Sequence, residues 1–199
     1  MQQQPYKFPL LNRYVRSAVL IALEEAKAFR HLRIHPEHIL LGLIQAEGSI
    51  AETVLSAIDV TAQITRKVMT ENIDTFEKVS DESLARNELA AWQVNLDEVL
   101  RVIGEITPKV GKVAPMSYTP EMSSNSMKLM SLATETIWRQ KDRYFCTEHV
   151  LLALFFLQDS GTKVFLESVG LLQDRVQQTL ESLREDTQEF KDMNNAGSH

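Results

Sequence analysis

The sequence predicts an all-α protein: a pseudo-twofold duplication of a four-helix unit, with one extra helix inserted between the copies. Two observations carry that prediction. Pro36-Glu37-His38-Ile39-Leu40-Leu41-Gly42-Leu43 and Thr147-Glu148-His149-Val150-Leu151-Leu152-Ala153-Leu154 spell nearly the same octapeptide at an offset of 111 residues. The same offset pairs Asn12 with Ser123, Ala22 with Ala133 and Glu24 with Glu135 upstream, and Leu55 with Leu166, Ile58 with Val169 and Val60 with Leu171 downstream. Self-similarity of this kind marks one supersecondary unit used more than once, each copy covering the apolar face of the other. The domain is therefore expected over 12–186, as repeat one (12–73), an inserted helix and loop (74–122) and repeat two (123–186), with flexible ends at 1–11 and 187–199.

Pro5 and Pro9 keep the opening arm out of helix. Asn12 has the side chain of an N-cap and opens a helix to about Arg30, whose apolar face carries Val15, Ala18, Val19, Ala22, Ala26 and Phe29. Pro36 suits the first position of the second helix, where its missing N–H costs nothing, and that helix runs to about Ala46. Gly48-Ser49 turns the chain into a short third helix at 50–58, and Thr61 caps a fourth at about 62–72. The second copy repeats the series as 124–141, 147–158, 162–169 and 171–186. Between the copies, Leu84, Trp92, Leu96, Val99 and Ile103 recur along one stripe of a helix expected over 81–104. That stripe either packs back on the repeats or docks a partner or a second copy of the chain. Pro and Gly punctuation over 107–120 reads as a loop, and the tail from Thr187 is polar.

Bulk properties exclude several function classes. A net charge of −6 opposes nucleic-acid binding, which needs a basic footprint to displace counterions. One cysteine, Cys146, allows no internal disulfide and fits a reducing compartment. The longest apolar run, Val150 to Leu157, is far too short to span a bilayer and reads as a buried helix. Met1-Gln2-Gln3-Gln4-Pro5 lacks the order of a secretory signal. The expected setting is cytoplasmic, with no membrane partner.

Candidate chemistry is sparse. Residues 104–113 have the flavour of a phosphate loop, but six residues separate Gly104 from Gly111 where four are needed, and Val113 offers no hydroxyl for Mg²⁺. His35 and His38 form an HxxH with Glu37 between them and His31 upstream, yet repeat two offers only His149 there and no third ligand is evident. Cys146 precedes a helix start, where the dipole favours thiolate, but its counterpart is His35 and no basic partner singles it out. No catalytic residue, cofactor or metal is expected. Glu37 and Glu148 each fall in the first turn of the second helix of their copy, where free N–H groups and the dipole favour a carboxylate.

The alanine-rich amphipathic helix, Arg30-His31, the Pro/Thr-Glu-His-Ile/Val-Leu-Leu-Gly/Ala-Leu octapeptide and Glu47-Gly48-Ser49-Ile50-Ala51 together resemble the Clp repeat domain, the amino-terminal domain of the Clp/Hsp100 unfoldases. The likeness is to the ClpC and ClpA branch, without the ATPase modules. Three features depart from the family pattern: Arg30 and Lys141 stand where Gly is usual, Asp142 replaces the second-repeat His, and a long segment separates the copies. The resemblance implies a non-enzymatic protein-interaction module, an accessory, adaptor or regulator of a Clp AAA+ chaperone–protease. Its implied partners are Clp unfoldase or ClpP-type protease subunits, adaptors and substrate proteins; in a plant it would act in the plastid stroma. The alternative is the amino-terminal substrate- or adaptor-binding domain cut from a ClpC/ClpA-type unfoldase. A remote third reading, an orphan helical metalloenzyme, rests on His35, Glu37 and His38 alone. In ClpC-like members the matching glutamates hold the guanidinium of phosphoarginine, so the resemblance marks Glu37, Glu148 and Thr147 as candidate protein- or phosphoarginine-binding residues. Pro36, in the place of Thr147, removes a hydroxyl and an N–H from the first copy.

Overall fold

A computed structural model describes residues 10–71, 119–140, 142 and 144–183. The expected inserted helix at 81–104, its loop, the phosphate-loop-like stretch and the tail lie outside the described residues. Repeat one contains β1 (Leu10–Leu11), α1 (Arg13–Ala28), β2 (Arg33–Ile34), α2 (Pro36–Gln45), α3 (Ile50–Ala57) and a helical stretch α4 at 62–71. Repeat two contains β3 (Glu121–Met122), α5 (Ser124–Gln140), β4 (Tyr144–Phe145), α6 (Thr147–Leu154), α7 (Ser160–Ser168) and α8 (Gln173–Leu183). The architecture is the expected duplicated helical domain. Two differences are local. The helix expected over 147–158 stops at Leu154, where Phe155-Phe156 turns and leaves Phe156 exposed, so the apolar run is only partly a buried helix. Leu10 and Leu11, read as part of a loose arm, are tied into a strand pair.

Four helices begin where the sequence supplies a side-chain acceptor. Asn12 accepts from the Tyr14 N–H (3.1 Å), Ser49 from Glu52 (3.0 Å), Ser123 from Ser126 (3.1 Å) and Asp159 from Thr162 (2.7 Å), meeting donors that a helix start leaves without partners. α1 and α3 end in turns that use residues of positive φ, Arg30 at 58° and Asp59 at 63°. Gly170, the counterpart of Asp59, has the same conformation at 76°.

The strands are short and join the repeats reciprocally. β1 pairs with β4 in parallel, with Leu10 opposite Tyr144; β2 pairs with β3, with Arg33 opposite Glu121. Shifting both partners by 111 residues turns one ladder into the other, the internal equivalent of a self-complementary twofold interface. The reciprocity extends to the caps: the Asn12 N–H donates to the Phe145 carbonyl (3.1 Å), and the Ser123 N–H to that of Ile34 (3.0 Å). One apolar core runs through both repeats, from Val15, Ala22, Leu40 and Leu55 to Leu129, Ala133, Leu151 and Leu166. The copies differ in how closely their first two helices approach. Alanines at 18 and 26 in α1 answer Leu129 and Ile137 in α5, and Gly42 answers Ala153. A Cβ on Gly42 would lie 2.0 Å from the Ala18 carbonyl oxygen, so α1 and α2 meet backbone to backbone. Among the described residues no single helix is long and apolar enough to cross a membrane.

Candidate functional site

The octapeptides build two equivalent helix starts. In repeat one the His35 N–H donates to His38 Nδ1 (2.9 Å); in repeat two the Cys146 N–H donates to His149 Nδ1 (3.1 Å). The motif histidine thus reaches back to the residue before its helix and satisfies a backbone donor, the capping role that the HxxH spacing suits. Its other nitrogen is also engaged. His38 Nε2 lies 2.8 Å from His31 Nδ1, and His149 Nε2 lies 2.9 Å from Asp142 Oδ2. A backbone N–H can only donate, so Nδ1 of His38 and of His149 is an acceptor, and each ring carries its proton on Nε2. His149 is therefore neutral, and its contact with Asp142 is a hydrogen bond to a carboxylate rather than an ion pair.

The tautomer bears on metal binding. Asp142, Glu148 and His149 bring ligand atoms within 4.8 Å of one another. His149, hydrogen-bonded in this way, has no lone pair left on either nitrogen, and the same holds for His38. Neither ring can ligate a cation without giving up a buried backbone hydrogen bond.

Glu37 and Glu148 occupy the expected first turns, both buried, in helices α2 and α6 that pack against each other. Thr147 is fully buried, and its hydroxyl accepts from the Ala51 N–H of α3 at 3.1 Å. One repeat therefore caps a helix of the other. At the equivalent contact Pro36 has no hydroxyl to offer, and the Thr162 N–H is taken by Asp159 instead. Cys146, the only cysteine, is buried beside Asn12, whose amide lies 4.0 Å from its sulfur.

A second cluster belongs to repeat one alone. The buried Glu25 carboxylate receives both Nε and Nη2 of Arg66 and the Gln45 amide (2.8 Å), while Gln45 accepts from Arg66 at 2.9 Å. The Arg66 hydrogen bonds hold the Glu25 carboxyl below the usual carboxylate range, against the opposing effect of burial. Counterparts in repeat two are Thr136, Phe156 and Gln177, so the network is absent there.

The outer surfaces of the repeats differ accordingly. Met127, Trp138, Phe156, Val164 and Leu172 are exposed in repeat two, where repeat one has Arg16, Lys27, Gln45, Thr53 and Thr61. Beside Leu172 a cleft of about 180 Å³ opens among α6, α7 and α8, floored by Leu154, Leu157, Leu166 and Leu171, with Lys163 and Glu167 at its edge. The sequence reading did not find these exposed residues or the cleft. Comparing the polar counterparts at the 111-residue offset was the signal available. The same offset links His31 to Asp142, each seven residues before the motif histidine.

Comparison with known proteins follows the geometry. The Clp repeat (R) N-terminal domain family matches residues 11–84 and 79–169. No curated protein matches by sequence. Among solved structures, the N-terminal domain of the caseinolytic protease associated chaperone ClpD from Arabidopsis thaliana superposes with a TM-score of 0.54 at 18% identity, covering 92% of this chain and 99% of that one. A structure from a malarial protein secretion system gives 0.53 at 16% identity, covering 89% and 97%. The Hsp104 N-terminal domain from Candida albicans gives 0.48 at 16% identity, covering 88% and 91%. At these identities the likeness to the first two structures speaks for the fold, and the family match speaks for descent. The two octapeptides, the reciprocal strand pairs and that match agree: this chain belongs to the Clp repeat N-terminal domain family, a family of non-catalytic interaction domains.

Proposed function

We propose that this chain is a protein-interaction module working with a Clp AAA+ chaperone–protease, as accessory, adaptor or regulator, and that its ligands are substrate, adaptor or Clp subunits. The observation that carries the reading is the asymmetry of the two copies. Repeat one fills positions 16, 27, 45, 53 and 61 with polar residues and exposes Leu20, Leu32 and Ile64 elsewhere, so the shared fold does not demand the apolar residues that repeat two exposes at the matching places. Exposed apolar groups beside an apolar cleft, as Leu172 stands beside the cleft of repeat two, favour contact with another polypeptide. The family context supplies the partner class, and the compartment that goes with it is the cytoplasm, or the plastid stroma in a plant. A pull-down of Clp unfoldase and protease subunits, adaptors and unfolded substrates on the full chain tests it; retention of none of them refutes it.

Phosphoarginine binding at the helix starts is part of the proposal. Glu37 and Glu148 would take the guanidinium fork, and the amides at the start of α6 the phosphate. Thr147 stands beside Glu148 as the remaining candidate of that copy, its hydroxyl already accepting from Ala51. Pro36 makes the first copy the poorer half. Glu148→Ala should weaken capture of a phosphoarginine peptide at a stability cost of up to about 2 kcal/mol, the scale for a buried helix-terminus charge; unchanged capture reduces Glu148 to a structural residue. A second reading, the substrate-binding domain of a longer ClpC/ClpA-type unfoldase, is favoured by the 99% coverage of the ClpD N-terminal domain. The length of the native reading frame separates the two.

A further inference from the structure

The motif histidines make the same backbone hydrogen bond in both repeats, but their second partners differ in kind. His149 gives its Nε2 proton to Asp142, a carboxylate, and His38 gives its own to His31, an imidazole. An oxygen of Asp142 remains an acceptor whatever its protonation state. His31 does not: with Nδ1 accepting from His38, Nδ1 is the atom that must receive the next proton. A protonated His31 presents an N–H to the N–H of His38. The alternative, moving the His38 proton to Nδ1, sets it against the His35 N–H. Either way one buried hydrogen bond is lost, so protonation of His31 and the closed arrangement of repeat one exclude each other.

We propose that His31 on His38 is an acid-released latch, and that Asp142 makes the equivalent joint of repeat two insensitive to acid. The latch holds the loop that ties repeat one to repeat two. The Leu32 carbonyl accepts from the Glu121 N–H (3.3 Å), and the Ile34 carbonyl from the Ser123 N–H (3.0 Å) and the Ser126 hydroxyl (2.7 Å). Phe29 stacks on His31 at 5.6 Å and packs edge-on to His38, so the pair sits against an apolar wall. The ionisable groups on the described elements around His31 are His35, Glu37 and His38 of the α2 start, Lys27 in the last turn of α1, Arg30 and Arg33 on its own loop, and Glu121 opposite Arg33. Imidazole is the side chain that changes charge between about pH 5 and pH 8. Acid in that range releases the loop in repeat one, weakens the β2–β3 strap and leaves the β1–β4 strap in place.

The test is amide exchange and long-range ring-nitrogen spectra of the full chain, recorded from about pH 8 to about pH 5. As His31 takes its proton the His38 ring nitrogens shift, and where the His38 proton moves to Nδ1 the exchange protection of the His35 amide, corrected for the intrinsic rate at each pH, falls about tenfold relative to that of Cys146, the loss of one buried hydrogen bond. The Glu121 and Ser123 amides shift with it, and the His149 ring signals do not. His31→Asp copies the joint of repeat two and abolishes the transition, and Asp142→His installs a matching one in repeat two. Should either variant fail to fold, the parent decides alone. A His31 that titrates with no change at His35 or in the His38 ring overturns the latch, and so does a transition of equal size at Cys146.

Discussion

Gly42→Ala is the sharpest test of how the first repeat packs. In an ordinary helix interior this change stabilises by about 1 kcal/mol, because glycine is the poorer helix former. Here the added methyl would stand 2.0 Å from the Ala18 carbonyl oxygen, 2.9 Å from its carbonyl carbon and 3.3 Å from its Cα. All three are backbone atoms of α1 and none can rotate away. Carbon and oxygen settle at about 3.3–3.6 Å, so the contact must open by about 1.3–1.6 Å, and a gap of that size forfeits half or more of the dispersion energy across it. Overpacking costs about 3 kcal/mol at the upper part of its usual range; less the propensity gain, the net loss is about 2 kcal/mol. For a chain of this size that lowers Tm by about 4–8 °C. Urea unfolding followed by far-UV circular dichroism should show a lower midpoint at unchanged slope. Ala153→Gly, at the equivalent place, should lose the propensity difference of about 1 kcal/mol and about 0.8 kcal/mol for its buried methyl. A Gly42→Ala protein as stable as its parent would refute the backbone-to-backbone approach of α1 and α2.

Thr147→Ala removes the hydroxyl that receives the Ala51 N–H and should cost about 1–2 kcal/mol in urea unfolding; a neutral result denies the inter-repeat cap. Gly170→Ala meets no atom within 4 Å, so its cost of about 1 kcal/mol is purely that of a positive φ. Gly170→Asp should cost less, because Asp59 already adopts this conformation in repeat one; equal costs contradict that account. The folded-state pKa of Glu25 is depressed, so its stabilising contribution is complete above the unfolded value near 4.5 and is lost as pH falls below it. Arg66→Ala should destabilise at neutral pH and flatten that acid limb; an unchanged acid limb removes Glu25 from the cause.

How much was legible in the sequence follows from which forces are local. Asn12, Ser49 and Pro36 announce helix starts because capping and proline geometry act within a turn. The 111-residue repeat announces the twofold plan, because two copies of one unit must cover the same apolar stripe. Even the capping role of His38 and His149 is foreshadowed by their place at each helix start. The two-residue strands were not legible: a ladder formed by Leu10–Leu11 and Tyr144–Phe145 has no period to read, and its partner lies far along the chain. Nor could the sequence place the Thr147 hydroxyl on Ala51, or gather Glu25, Gln45 and Arg66.

The chain alone determined the helices, their order and the duplication, since these rest on periodicity and on residues that act on their neighbours. Tertiary structure decided what the copies do differently. Whether a histidine faces a carboxylate or another imidazole, whether a glycine lets two backbones touch, and which apolar side chains of each repeat reach solvent all depend on distances between segments that sequence separation leaves open.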